Sequence, residues 1–354
     1  MTPTERRASA SLASIFALRM LGLFLVLPVF ALEARKYPGG DDPALLGLAM
    51  GIYGLTQGLL QLPFGMASDR FGRKRVIVLG LLIFAAGSFW AAAATDLHGL
   101  LIGRSLQGAG AVSAAVTALL ADLTRDEVRT KAMALVGASI GLMFALSLVL
   151  APLLAAAVGL SGLFTITGVL ALLGVLVIVW GAPPAPPMQS GAPRGRLVDV
   201  LRHAGLMRMN FGVFVLHAVQ LAMWVAVPAL LVQAGLPKEQ HWQVYLPAVL
   251  GSFVLMGGMF ALERRGQLKK VFLAAILLIA LVQLGLLVVS FGLPSLASLA
   301  GLLFAFFCGF NVLEATQPSL VSRLAPMQVR GTAMGVYNTL QSLGFFVGGW
   351  AGGA

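Results

Sequence analysis

Hydrophobic runs of about 20 residues succeed one another along almost the whole chain, and a run of that length is what crosses the hydrocarbon of a bilayer as a helix. They lie near 10–33, 44–67, 74–94, 97–122, 131–157, 160–181, 209–233, 242–262, 268–291, 295–322 and 331–353. Such a chain has no soluble core to build. Of its 354 residues 59% are hydrophobic and 10% charged, where a soluble domain carries about 25% charge. Outer-membrane strands alternate apolar with polar residues, and these runs do not. The fold class left is an all-α membrane protein with eleven expected transmembrane helices.

A net charge of +11 suggests nucleic acid in a soluble protein. Here the basic residues occupy alternate connectors. With the N-terminus inside, 19 of the 24 Lys and Arg residues fall on the inner side, among them Arg6, Arg7, Arg73, Lys74, Arg75, Arg125, Arg129 and Arg330. Three (Arg35, Lys36, Lys238) fall outside, and Arg19 and Arg104 lie within spans. That asymmetry sets the orientation, and no nucleic-acid partner is expected. The first run is not a cleavable signal, because Arg19 interrupts it and further spans follow at once. A tag placed within 39–42 is expected to label from outside intact cells, and one within 190–195 only after permeabilisation. The opposite pattern inverts the topology.

Residues 182–208, rich in Pro, Gly and Arg, form the one linker-like stretch. The organisation expected is an N-terminal six-helix bundle (1–181), a cytoplasmic linker (182–208) and a five-helix C-terminal bundle (209–354). The halves resemble each other. Val128-Arg129-Thr130-Lys131-Ala132-Met133 reads against Val329-Arg330-Gly331-Thr332-Ala333-Met334, and Phe16-Ala17-Leu18-Arg19 against Phe214-Val215-Leu216-His217. Chance similarity among apolar helices competes with this reading, but several matches in order at nearly one shift argue for duplication. Parallel repeats suit a secondary transporter, which rocks them about a central site.

Polar groups inside spans are costly and point to function. At 1.5 Å per residue, Arg19, His217 and Glu314 all lie about 12–14 Å from a span end, and the three are grouped as proton-coupling residues. Glu314 is the one acid deep in a span and the first candidate for a transported proton. His217 is the second, since imidazole ordinarily titrates near neutrality, although a lone helical His is often merely structural. Cavity candidates are Tyr53, Gln57 and Gln61 on one helix face, Gln220 and Trp224 at the same spacing, Asn311, and the pair Asn338 and Gln341. Helix–helix hydrogen bonding explains any single one equally well. With Phe30, Met223 and Phe345 nearby, the expected substrate is a small amphipathic or cationic organic molecule.

The loop after the second span reads Gly65-Met66-Ala67-Ser68-Asp69-Arg70-Phe71-Gly72-Arg73-Lys74-Arg75. It resembles the signature loop of the major facilitator superfamily, and Arg104-Ser105-Leu106-Gln107-Gly108 is similar to a second motif of that family. Leu18-Arg19-Met20-Leu21-Gly22, Ala118 to Ala134 and Phe310 to Pro318 resemble its YajR-type branch, a group of bacterial proton-coupled members. The resemblance implies two six-helix pseudo-symmetric bundles, here with the twelfth span missing. It implies that Gly65, Asp69, Arg70, Gly72 and Arg73 form a conformational latch, with Asp69 facing the N-terminus of the eleventh span and Arg73 paired to Asp122. It implies that Arg104 serves proton coupling, for which the structural alternative is pairing with backbone carbonyls. Span five departs from the pattern: in place of a Gly-Pro-x-x-Gly-Gly ending stands Ala151-Pro152-Leu153-Leu154.

The function expected is secondary active transport across a bacterial inner membrane, as proton-coupled efflux of the multidrug type. An uncoupled or symport facilitator on the same fold is the alternative. A monomer with no cofactor is expected, and the proton gradient is the energy source. Catalytic elbows, metal-ligand spacings and nucleotide loops are missing from the sequence, so an enzyme, a channel or an ATP-driven pump fits less well.

Overall fold

The computed structural model describes residues 1–185, 196–237, 240–292 and 295–353. Its elements are α1 (Pro3–Ala34), α2 (Pro43–Phe71), α3 (Arg73–Ala92), α4 (Leu97–Ala109), α5 (Ser113–Asp122), α6 (Asp126–Leu176), α7 (Leu197–Arg202), α8 (Ala204–Gln233), α9 (Trp242–Arg264), α10 (Leu268–Ser290), α11 (Leu296–Leu324) and α12 (Arg330–Gly353). No strand occurs among the described residues.

Local chemistry sets the ends. Thr2 caps α1: its hydroxyl accepts from the Glu5 N–H at 3.2 Å while the Glu5 carboxylate accepts from the Thr2 N–H at 2.7 Å, with Pro3 at the first helical position. Asp96 caps α4 through the Gly99 N–H at 2.7 Å. Gly72, at φ +96°, makes the turn between α2 and α3 in a region that costs other residues strain. Spans five and six are two helical arms, here labelled together as α6, that meet at a kink at Gly159, whose φ is +66°. The expected boundary lay between 157 and 160.

Span four differs from expectation. It is two helices, α4 and α5, because the ladder breaks at 110–112. At the break the Gly110 carbonyl accepts from the Val112 N–H at 2.9 Å and from the Arg19 Nη2 at 3.2 Å. Broken helices survive at membrane depth when such groups are satisfied again. Part of the expected linker is also helical: α7 begins where the Asp199 carboxylate accepts from the Arg196 N–H at 2.8 Å, and α8 starts at Ala204. Residues 186–195 lie outside the described residues.

Eight stretches are long and apolar enough to cross a membrane by length and composition, from α1, α3, the two arms of α6, α8, α9, α10 and α11. The other three expected spans are α2, the broken α4–α5 and α12. Of these, α4 and α5 are 13 and 10 residues long, each too short to cross alone, and α12 carries Gly, Thr, Asn and Gln that dilute its hydropathy. The three spans also carry most of the polar groups described below. Leu277, Leu281, Leu284 and Val288 of α10 are exposed, as a lipid-facing helix requires.

Packing divides the chain into two compact units: Met1–Asn210 with Leu320–Ser342, and Phe211–Ser319 with Leu343–Ala354. The main segment of the first unit ends at Asn210. Leu320–Ser342 joins the first unit instead of the C-terminal half. The first unit is centred on Leu12, Ile77, Leu81, Leu119 and Leu120. The second is centred on Val227, Ile279, Leu303 and Phe306.

Candidate functional site

Three groups of polar residues stand out, two in the first unit and one in the second. The first lies where α2 ends and α12 begins. The α12 N-terminus offers backbone N–H groups with no intrahelical partner and the positive end of the helix dipole. Asp69 takes them. Its carboxylate accepts from the Gly331 N–H at 2.8 Å, from the Thr332 N–H at 2.6 Å and from the Thr332 hydroxyl at 2.6 Å. Arg73 donates to Asp69, to Ser68 Oγ at 2.8 Å and, through Nε, to Asp122 Oδ2 at 3.0 Å. Asp122 also pairs with Arg330. Two carboxylates and two guanidiniums thus form a neutral network, and all four side chains are at most 12% exposed. Gly65 lets the backbones meet: a Cβ there would lie 2.3 Å from the Gly331 carbonyl oxygen.

Arg70, grouped with the latch by the sequence reading, stands outside this network. Neighbours on a helix point about 100° apart, so with Asp69 turned to α12, Arg70 is exposed and lies over the Phe71 ring. Arg330 was read from sequence only as one more inner-side cation. Its alignment with Arg129 in the repeat was the signal. Arg129 donates to the Ala121 carbonyl at 3.1 Å and Arg330 to the Ser322 carbonyl at 3.0 Å, each eight residues back. Nearby, Arg125 donates to Glu5 at 2.8 Å, and that hydrogen bond, with the carboxylate's charge, raises the guanidinium pKa above its ordinary value.

The second group is mid-span. Arg19 and Arg104 are each 1% exposed. Arg19 donates to Ser113 Oγ at 3.2 Å, Tyr53 Oη at 3.1 Å and the Gly110 carbonyl, with Gln57 Oε1 at 3.5 Å. Arg104 donates to Gln107 Oε1 at 3.2 Å and more distantly, at 3.4 Å, to the Met50 carbonyl. Tyr53 and Gln57 therefore meet at the Arg19 guanidinium. Gln61 does not join them: it is 1% exposed and accepts from the Ala114 N–H at 3.2 Å. A backbone group of α5 occupies its side-chain oxygen.

In the second unit His217 and Glu314 meet, Nε2 to Oε2 at 3.3 Å. His217 Nδ1 lies 2.9 Å from the Val213 carbonyl one turn back, and the rings of Phe310 and Phe345 stand edge-on at 5.7 and 4.8 Å. His217 is buried, but the Glu314 side chain keeps 28% exposure, so it is less enclosed than expected. Asn311 donates to Ser252 Oγ at 2.7 Å, a helix-to-helix tie. Gln220 lines a cavity of about 10 Å³ with Met223, Tyr245 and Phe306. Asn338 is buried and Gln341 half-buried in the first unit. The Trp224 side chain lies outside the described residues.

Apolar helices long enough to cross a bilayer, with charged side chains buried among them, mark a polytopic membrane protein. The Major Facilitator Superfamily profile matches residues 12–349. The Escherichia coli inner membrane transport protein YajR is 43% identical, over 100% of this chain and 78% of its own length. The quinolone resistance protein NorA of Staphylococcus aureus is 26% identical over 94% of this chain and 86% of its own. The human organic anion transporter MFSD10 superposes with a TM-score of 0.82 at 21% identity, covering 99% of this chain and 93% of that one, a likeness of fold. The chain belongs to the major facilitator superfamily and is a multi-pass membrane transporter.

Proposed function

We propose that this protein couples the movement of a small organic solute to a proton, by alternating access, in the direction of efflux across an inner membrane with its N-terminus cytoplasmic. The observation that carries the reading is the His217–Glu314 pair. A carbonyl only accepts, so the contact with Val213 assigns the Nδ1 proton and turns Nε2 toward the carboxyl group. Either imidazolium faces carboxylate, or the protonated carboxyl donates to the free Nε2 lone pair. In both states the pair holds one exchangeable proton, and losing or gaining one changes the charge inside a span by a whole unit. Such a group is what proton coupling requires.

The Asp69–Arg73–Asp122–Arg330 network serves as the latch of the cytoplasmic side. Loading the pair and releasing the latch would then alternate. NorA, named for resistance to a drug, supports efflux. The departure at Ala151-Pro152 in span five favours a second reading, symport on the same fold.

Thermal-shift screening of the purified chain against a compound panel at two pH values identifies a solute. That solute is then followed in proteoliposomes with an imposed pH gradient. Accumulation that collapses when the gradient is dissipated is the expected result. Accumulation that survives overturns proton coupling.

A further inference from the structure

We propose that Arg19 and Arg104 form a subsite for the carboxylate of an organic anion whose apolar body lies on the surrounding aromatic rings. The inference rests on the reading of this chain as a transporter of organic solutes, and it narrows the expected amphipathic or cationic substrate to an amphipathic anion.

The argument begins with a contrast among buried arginines. Those at the cytoplasmic end have carboxylates: Arg73, 7% exposed, meets Asp69 and Asp122, and Arg129, 4% exposed, meets Asp126. The two mid-span arginines are buried more deeply and have only neutral partners among the described residues. A buried charge without a counter-charge is the costly case. Here two cations share one neighbourhood. Tyr53 stands between them, accepting a hydrogen bond from Arg19 through its hydroxyl while its ring lies 4.9 Å from the Arg104 guanidinium carbon.

The donors are not used up. The Nε–H of Arg19 and that of Arg104 each lack a hydrogen-bond acceptor among the described residues. The Gln57 contact at 3.5 Å and the Met50 contact at 3.4 Å are at the weak limit of hydrogen bonding, so both yield readily to a stronger acceptor. A carboxylate is that acceptor, because its two oxygens match the planar fork of a guanidinium. The walls define the rest of the ligand. Phe84 lies under Arg19 at 5.2 Å and Phe30 under Arg104 at 5.6 Å, with Tyr53 between. An aromatic or otherwise apolar body is the chemistry that those buried rings would accept. A cation would meet two positive charges.

The test uses three probes with one ring and different charge: benzoate, benzamide and benzamidine, titrated by calorimetry into the purified full chain. Benzoate is expected to bind at least 10-fold more tightly than benzamide, and benzamidine not at all. Arg19→Gln and Arg104→Gln are each expected to weaken benzoate at least 10-fold, with partial recovery in Arg19→Lys. Equal binding of benzoate and benzamide overturns the subsite, and this comparison stands in the unaltered chain even if a variant fails to fold. Unchanged benzoate affinity in both Gln variants also overturns it. Displacement of benzoate by equimolar chloride overturns the part assigned to the rings. A chain that binds benzoate as expected but accumulates no solute under any gradient overturns the transport reading and leaves the subsite standing. Proton-driven accumulation in a chain that discriminates none of the three probes does the reverse.

Discussion

Asp69→Asn is expected to leave the protein expressed and inserted, to slow transport at least 10-fold, and to open the cytoplasmic side to reagents. The reason lies in what the carboxylate holds. It accepts three hydrogen bonds from the first turn of α12 and pairs with Arg73. The amide keeps one acceptor oxygen and loses the charge. Arg73 and Arg330 are then left with Asp122 as their one carboxylate, and a neutral network becomes a buried net cation. Removing one partner of a buried ion pair costs about 3–5 kcal/mol. On the proposed latch reading the loss falls on the latched state, so a shift of about 3 kcal/mol is expected to move the ratio of latched to unlatched protein by roughly 100-fold. Val336→Cys in α12, in a background with Cys308 replaced, reports it. A membrane-impermeant thiol reagent applied from the cytoplasmic side should label that cysteine at least 10-fold faster when Asp69 is Asn. Unchanged labelling with full transport would reduce the loop to a positive-inside anchor.

The spans were legible because bilayer thickness imposes a length that any apolar run displays. The hinge at Gly159 fell between two such runs. What local pattern does not carry is partnership. Thr332 lies 263 residues from Asp69, so no window along the chain showed that Leu320–Ser342 would join the first unit. For Tyr53, Gln57 and Gln61 the helical spacing gave the shared face but not the neighbours. Two of them reach Arg19, and the third satisfies the Ala114 N–H beside the break in span four. That break was itself hidden, since it lies inside a single apolar run over 97–122. Arg330 escaped notice because a positive charge at an inner end already had an explanation. In contrast, Arg19, His217 and Glu314 were conspicuous in sequence, each being a polar group where apolar residues cost least.

Glu314→Gln is the second large effect. The amide is nearly isosteric and neither takes up nor releases a proton. His217 keeps its Nδ1 bond to Val213, and its Nε2 meets a neutral side chain in place of the carboxyl group at 3.3 Å. The carboxyl group's exchangeable proton is removed, leaving imidazole without its acidic partner, while the fold and the solute path are expected to remain. Accumulation against a gradient is expected to disappear, and exchange down a gradient to continue in part. The decisive measurement compares the unaltered chain with Glu314→Gln in proteoliposomes under one imposed pH gradient, following both solute and internal pH. The account predicts that the unaltered chain accumulates solute and dissipates the gradient as it does so, and that the Gln variant does neither while still exchanging solute. A Gln variant that accumulates solute against its gradient would contradict it.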